Sequence, residues 1–104
     1  MSKTSRPHEE TILELLREDP SFAEDYLAAS LDGLGEEGGL EALLAALRHI
    51  AEAQGMATVA ERAGIPRESL YRALSPTGNP TLKTLSAVIH AVGLRLDVHR
   101  ANAA

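Results

Sequence analysis

Glycine and proline divide this chain into short blocks. The breaks fall at Asp19-Pro20, at Gly33-Leu34-Gly35-Glu36-Glu37-Gly38-Gly39, at Gly55, at Gly64-Ile65-Pro66, at Pro76 to Pro80 and at Gly93. Between them apolar residues recur at the helical period. Residues 8–18 place Ile12, Leu15 and Leu16 on one side, with acids at the start, as a helix dipole prefers. Pro20 suits the first turn of a helix over 20–32, with Asp19 as its cap and Phe22, Tyr26, Leu27 and Leu31 as its stripe. The glycine-rich run 33–39 reads as a flexible linker. Residues 40–53 form the longest block, with Leu40, Leu43, Leu44, Leu47, Ile50 and Ala51 in phase. Three more helical blocks follow at 56–63, 67–74 and 81–92. The end differs: Leu94-Arg95-Leu96-Asp97-Val98-His99 alternates apolar and polar, the period of a β-strand.

These blocks predict an all-α protein with a short C-terminal strand. At 104 residues it is one domain, or one domain with an arm. The aromatics are Phe22, Tyr26 and Tyr71, so the core must be aliphatic. With no cysteine, a disulfide scaffold, a thiolate metal site and a cysteine nucleophile are excluded. The apolar runs are too short to span a membrane, and the first ten residues lack the apolar core of a secretory signal, so a cytoplasmic protein is expected. His8, His49, His90 and His99 are scattered, without metal-ligand spacing. No serine has an obvious base partner and no glycine-rich phosphate loop follows a strand. The expectation is a protein that is not an enzyme and holds no metal or cofactor.

The sharpest pattern runs from Met56 to Leu74. Ala60 is followed four residues later by Gly64, with Val59, Ala63, Ile65 and Leu70 as the surrounding apolar positions. Two short helices joined by a tight turn cross at a steep angle. A small residue at Ala60 lets them approach, and Gly64 supplies the positive φ the turn needs. Pro66 opens the second helix, where its missing N–H costs nothing. That helix, 67–74, is about 12 Å long and fits across the major groove of B-DNA. With Leu70, Ala73 and Leu74 turned inward, its outer face carries Arg67, Glu68, Ser69, Tyr71 and Arg72. Arginine can bond guanine bidentately, and glutamate can accept from cytosine. A helical hairpin that never touches DNA has the same inner pattern; the polar outer face points to DNA.

Residues 40–98 resemble the Cro/Xre-type, lambda-repressor-like helix-turn-helix domain. More narrowly, the chain resembles the addiction-module antidotes, HigA-like antitoxins encoded beside RelE/HigB-like toxins. The resemblance is carried by Asp25-Tyr26-Leu27, Ala45-Ala46-Leu47-Arg48, Ala53-Gln54-Gly55-Met56 and Ala60 to Ile65. Arg67-Glu68-Ser69-Leu70-Tyr71-Arg72-Ala73-Leu74-Ser75, Gly78-Asn79-Pro80-Thr81-Leu82 and Gly93 to Leu96 complete it. It implies base reading by Arg67, Glu68 and Arg72, flanked by Ser69 and Tyr71. Many relatives begin the first motif helix with a phosphate-gripping glutamine; here Met56 stands there, and Thr58 is the substitute. Thr81 and Lys83 are further backbone contacts. Asn79 is either a phosphate contact or a helix cap.

Charge divides the chain. Residues 1–38 carry three cations against ten acids, a net −7, and residues 39–104 carry seven against five, a net +2. This separates an acidic N-terminal helical arm (1–38) from a DNA-binding domain with its C-terminal strand (39–104). So few cations on one motif bind DNA weakly, which favours a homodimer reading two half-sites. Strand 94–99 would pair with its copy through Leu94, Leu96 and Val98. The resemblance implies a small basic ribonuclease as toxin partner. Glu14, Phe22, Asp25 and Tyr26 on the acidic arm are its candidate contacts, unless the apolar pair packs on helix 40–53 instead. The reading is a transcriptional repressor of operator DNA that also acts as an antitoxin. The alternatives are a plain Cro/Xre-type regulator without a toxin and an interaction module that has lost DNA binding.

Overall fold

Asp19 closes one helix and caps the next. Its carboxylate accepts from the Ser21 N–H at 3.2 Å and from the Ser21 hydroxyl at 2.6 Å, while Pro20 already has helical dihedrals. The computed structural model describes residues 2–101, with residues 2–7 as backbone only. Among them lie six helices: α1 (Ser2–Glu18), α2 (Ser21–Asp32), α3 (Gly39–Gln54), α4 (Met56–Ala63), α5 (Arg67–Ala73) and α6 (Leu82–Ala91). Five of them agree with the expected blocks to within a residue at either end. α1 begins six residues before the expected 8–18.

α3 is the axis of the fold. Leu43, Leu44, Ala46, Leu47, Ile50 and Ala51 are all buried, so the helix is covered on most of its circumference. α1 and α2 pack on one side of it and α4 on another; α4 in turn packs against α5 and α6. Leu16 of α1 and Ala23 and Leu27 of α2 lie in the same apolar cluster as Val59, Leu70, Val88 and Ile89. Each large aliphatic side chain buried there contributes about 1.5–3 kcal/mol.

The run 33–39 is not a slack linker. Leu34 N–H bonds to the Leu31 carbonyl, Glu36 N–H to Gly33 and Gly39 N–H to Glu36. Gly39 is buried, and a Cβ there would stand 2.2 Å from the Gly33 carbonyl oxygen. The chain closes on itself, so glycine serves close approach rather than freedom.

The expected C-terminal strand is absent: residues 94–101 have no regular secondary structure, and the described residues contain no strand. The all-α class stands without it. The reason lies at the end of α6. Gly93 adopts φ +92 and its N–H bonds to His90, while Leu94 N–H reaches back to Ile89. This is the glycine-closed helix end in which the next apolar residue packs on the helix it has just left. Leu94 is therefore turned onto the core. The alternation that follows has no neighbouring extended segment to form a ladder with, and Val98 N–H bonds instead to the Asp97 side chain. No helix among the described residues is long and apolar enough to cross a membrane.

Candidate nucleic-acid interface

The Met56–Leu74 pattern folds as two short helices joined by Gly64, Ile65 and Pro66. Val59 and Ala60 are buried beneath the turn. Gly64 takes φ +75, its N–H bonds to Glu61, and Ile65 N–H returns to Ala60. This is the same helix end as at Gly93, with Ile65 as the apolar residue folded back. Pro66 is extended at the N-cap of α5. Leu70 and Leu74 are fully buried, which sets the depth of α5 and leaves its other side outward.

That outer side presents Arg67, Glu68, Tyr71 and Arg72 as exposed residues, with Ser69 half-buried. The Arg67 guanidinium lies 5.9 Å from the centre of the Tyr71 ring, a cation–π distance that limits where the arginine points. Ser69 and Arg72 also line an open groove shared with Ser75, Asn79, Thr81 and Thr84, between α5 and the start of α6. Four of the expected DNA contacts, Ser69, Arg72, Asn79 and Thr81, thus meet in one groove. Thr58 and Lys83 are exposed outside it, on the first turns of α4 and α6.

Asn79 does not cap α6. Thr81 is the N-cap of α6: its hydroxyl accepts from the Thr84 N–H at 3.1 Å. Asn79 is exposed and free of that role. Gly78 is needed for contact, since a Cβ would stand 2.2 Å from the Ala73 carbonyl oxygen. Met56 faces the core and is 7% exposed, so its position offers no side chain to a phosphate.

The other expected contacts are spread out. Of the expected dimer residues, Leu94 packs on the core, while Leu96 and Val98 are exposed. On the arm, Glu14 and Asp25 are exposed, but Phe22 and Tyr26 are half-buried against the core. The Phe22 and Tyr26 rings stack with centroids 5.6 Å apart, and Tyr26 stacks toward His49 at 6.1 Å.

Two residues with structural roles escaped the sequence reading. Arg48 on α3 donates from Nη1 to the Leu74 carbonyl at the end of α5. His49, beside it, is buried, with Nδ1 2.8 Å from the Tyr26 hydroxyl. Its Nε2 is buried without a hydrogen-bond partner, 3.9 Å from Glu9 Oε2. Burial and then the Arg48 charge hold the His49 imidazole below its usual range, against the pull of Glu9 and Glu52. Burial likewise pushes the Tyr26 hydroxyl up. The available signal was two adjacent polar residues inside the otherwise apolar stretch from Leu43 to Ala51.

A family model described as "Probable addiction module antidote protein" matches residues 14–100, which span α2 to α6 and the last turns of α1. The chain belongs to this antidote family. The chain is also 41% identical, over 78 residues, to an uncharacterized protein of Haemophilus influenzae. That match covers 75% of this chain and 80% of the relative. No solved structure matches. The antidote's α5 groove falls wholly within the matched residues, and so do residues 14–38 of its acidic arm.

Proposed function

We propose that this antidote is a non-catalytic protein with two binding activities. It binds double-stranded operator DNA through α5, as a homodimeric repressor with a Cro/Xre-type helix-turn-helix. It also neutralises a co-encoded RelE/HigB-like toxin by direct contact. The observation that carries the DNA reading is the outer face of α5. Arg67, Glu68, Tyr71 and Arg72 stand clear of the core on a helix whose other side is fixed by Leu70 and Leu74. Seven residues span about 10 Å, within the width of the major groove. Beside α5, the exposed Asn79 and the start of α6 line the same groove as Ser69 and Arg72 and offer polar groups for phosphate contacts. Family membership supports the toxin partner, and the acidic exposed residues of α1 and α2 suit a basic one.

Fluorescence anisotropy with a duplex from upstream of the gene tests the DNA activity, against unrelated DNA at two salt concentrations. Selective binding is expected. Arg72→Ala should weaken it by about 1–3 kcal/mol, the worth of one good base contact. A folded chain that shows no preference for the upstream duplex overturns base reading by α5, and leaves an interaction module as the reading to pursue.

A further inference from the structure

We infer that Arg48 is the positioning residue of the DNA-reading helix: its bond to the Leu74 carbonyl aims α5 without touching DNA. The inference rests on the DNA reading proposed above and deepens it.

The need for such a residue follows from how little else orients α5. The helix has seven residues, too few to be stable alone, so its direction comes from its surroundings. Leu70 and Leu74 anchor it by burial, which is non-directional: it sets depth but resists tilt and roll weakly. At the N-terminal end the chain enters through Gly64 and Pro66. At the other end it leaves through Ser75, whose N–H and hydroxyl both bond back to the Arg72 carbonyl within the same turn. Those bonds shape the helix end but do not tie it to the body of the protein.

Arg48 does. It projects from α3, the axis of the core, across 26 residues of sequence to the carbonyl of the α5 C-cap. The α5 outer face carries its arginines at positions 67 and 72, so a roll of the helix sweeps both tips through arcs far larger than the movement at its axis. A guanidinium donating to a helix-terminal carbonyl is a charge-assisted bond with a fixed direction, and it sits at the negative end of the helix dipole. Arg48 is half-buried with one prong already committed, and it does not line the α5–α6 groove. It belongs to the body, and its effect on DNA must pass through α5.

This role makes a distinction that a phosphate contact would not. Attraction to the phosphate backbone tolerates small changes of angle; bidentate base reading needs placement within about half an ångström. Removing Arg48 should therefore damage selective binding and spare non-selective binding. The experiment compares the full chain with Arg48→Met, Arg48→Lys and Arg17→Met. Met keeps the apolar stem, Lys keeps the charge and a donor, and Arg17→Met removes one charge from exposed α1. For each, anisotropy with the upstream duplex and with unrelated DNA is read across salt, beside a thermal melt and amide chemical shifts. The expected result is that Arg48→Met loses about tenfold or more of the affinity for the upstream duplex. Its affinity for unrelated DNA and its salt slope should hold, and amide shifts should change around Leu70 to Ser75. Arg48→Lys should recover part of the loss, and Arg17→Met should match the wild type.

Equal losses on both DNAs in Arg48→Met would overturn the inference, since they would make Arg48 a phosphate contact or a general charge. So would unchanged selectivity. An unfolded Arg48→Met variant moves the decision to Arg48→Lys: full selectivity with unmoved α5 amides would then overturn the directional role. A wild-type chain that ignores DNA sequence is a different failure. It removes the DNA reading itself, and the positioning role with it.

Discussion

At His49 a titratable ring is held between two elements, bonded through Nδ1 to Tyr26 and facing Glu9 with Nε2. Its pKa is lowered in the folded chain, first by burial and then by Arg48. The unfolded chain takes up a proton near pH 6.5, its usual value, while the folded chain resists until lower pH. Between those two values the unfolded state binds more protons, so stability falls as the pH is lowered. The contribution is fully present above about pH 6.5 and is lost as pH drops towards the folded value. Urea midpoints measured from about pH 7.5 down to about pH 5 should therefore decline, and His49→Gln should flatten the decline over that interval. A parallel decline in the variant would show that other groups set the pH dependence. Tyr26→Phe removes the partner of Nδ1 and leaves a second nitrogen of the ring unpaired. It should cost about 1–3 kcal/mol by chemical denaturation, with little change in helical content. The sequence left open that Tyr26 packs on helix 40–53, but not that it bonds His49 there. Tyr26 and His49 are 23 residues apart, and the helical period marked one as an apolar stripe position and the other only as a polar interruption.

Two glycines flank α5, for different physical reasons. Gly64 holds φ +75 with no atom near where a Cβ would stand. Gly64→Ala therefore brings only backbone strain, about 1–2 kcal/mol, and should leave the orientation of α5 and its DNA preference intact. Gly78 meets backbone rather than strain: a Cβ would stand 2.2 Å from the Ala73 oxygen. The α5–α6 connection must open to admit it, which widens the groove shared by Arg72, Asn79 and Thr81. Gly78→Ala should cost about as much or more in stability, roughly 1–3 kcal/mol, and also lose selective DNA binding. Thermal melts and anisotropy on the two variants separate strain from displacement; equal DNA effects would sink the distinction. Elements were the most legible level of this chain because Gly and Pro mark their ends with local chemistry. The pair of short helices α4 and α5 was readable for the same reason: every residue that shapes the turn between them lies within Met56 to Leu74. The strand expected at 94–99 fails because alternation is only half of a strand. The other half is a neighbour, and here Leu94 is already spent closing α6.

The whole molecule carries its charge unevenly, with a net −7 over residues 1–38 and +2 over the rest. The division was plain from the sequence; what it concealed is that the acidic helices also build the core. Leu16, Ala23 and Leu27 are buried with the residues of α3 and α4. Deleting residues 1–36 would strip those side chains from the core and confound a binding test with unfolding. Charge reversal at exposed positions is the clean experiment. Glu10, Glu14 and Asp25 are exposed on α1 and α2, and surface changes of this kind shift stability by about 0.5 kcal/mol or less. Converting all three to lysine moves the formal charge from −5 to +1. If the arm steers a basic toxin onto the antidote, association at low salt should slow by roughly tenfold or more, with the dissociation rate less affected. Raising salt should bring the wild type down towards the variant, because screening removes what the substitutions removed. Base reading by α5 should survive on the upstream duplex, while affinity for unrelated DNA rises as the overall repulsion is lifted. Stopped-flow association with the co-encoded partner decides the matter. An on-rate equal to the wild type at low salt would make the acidic surface a solvated face with no part in recognising the toxin.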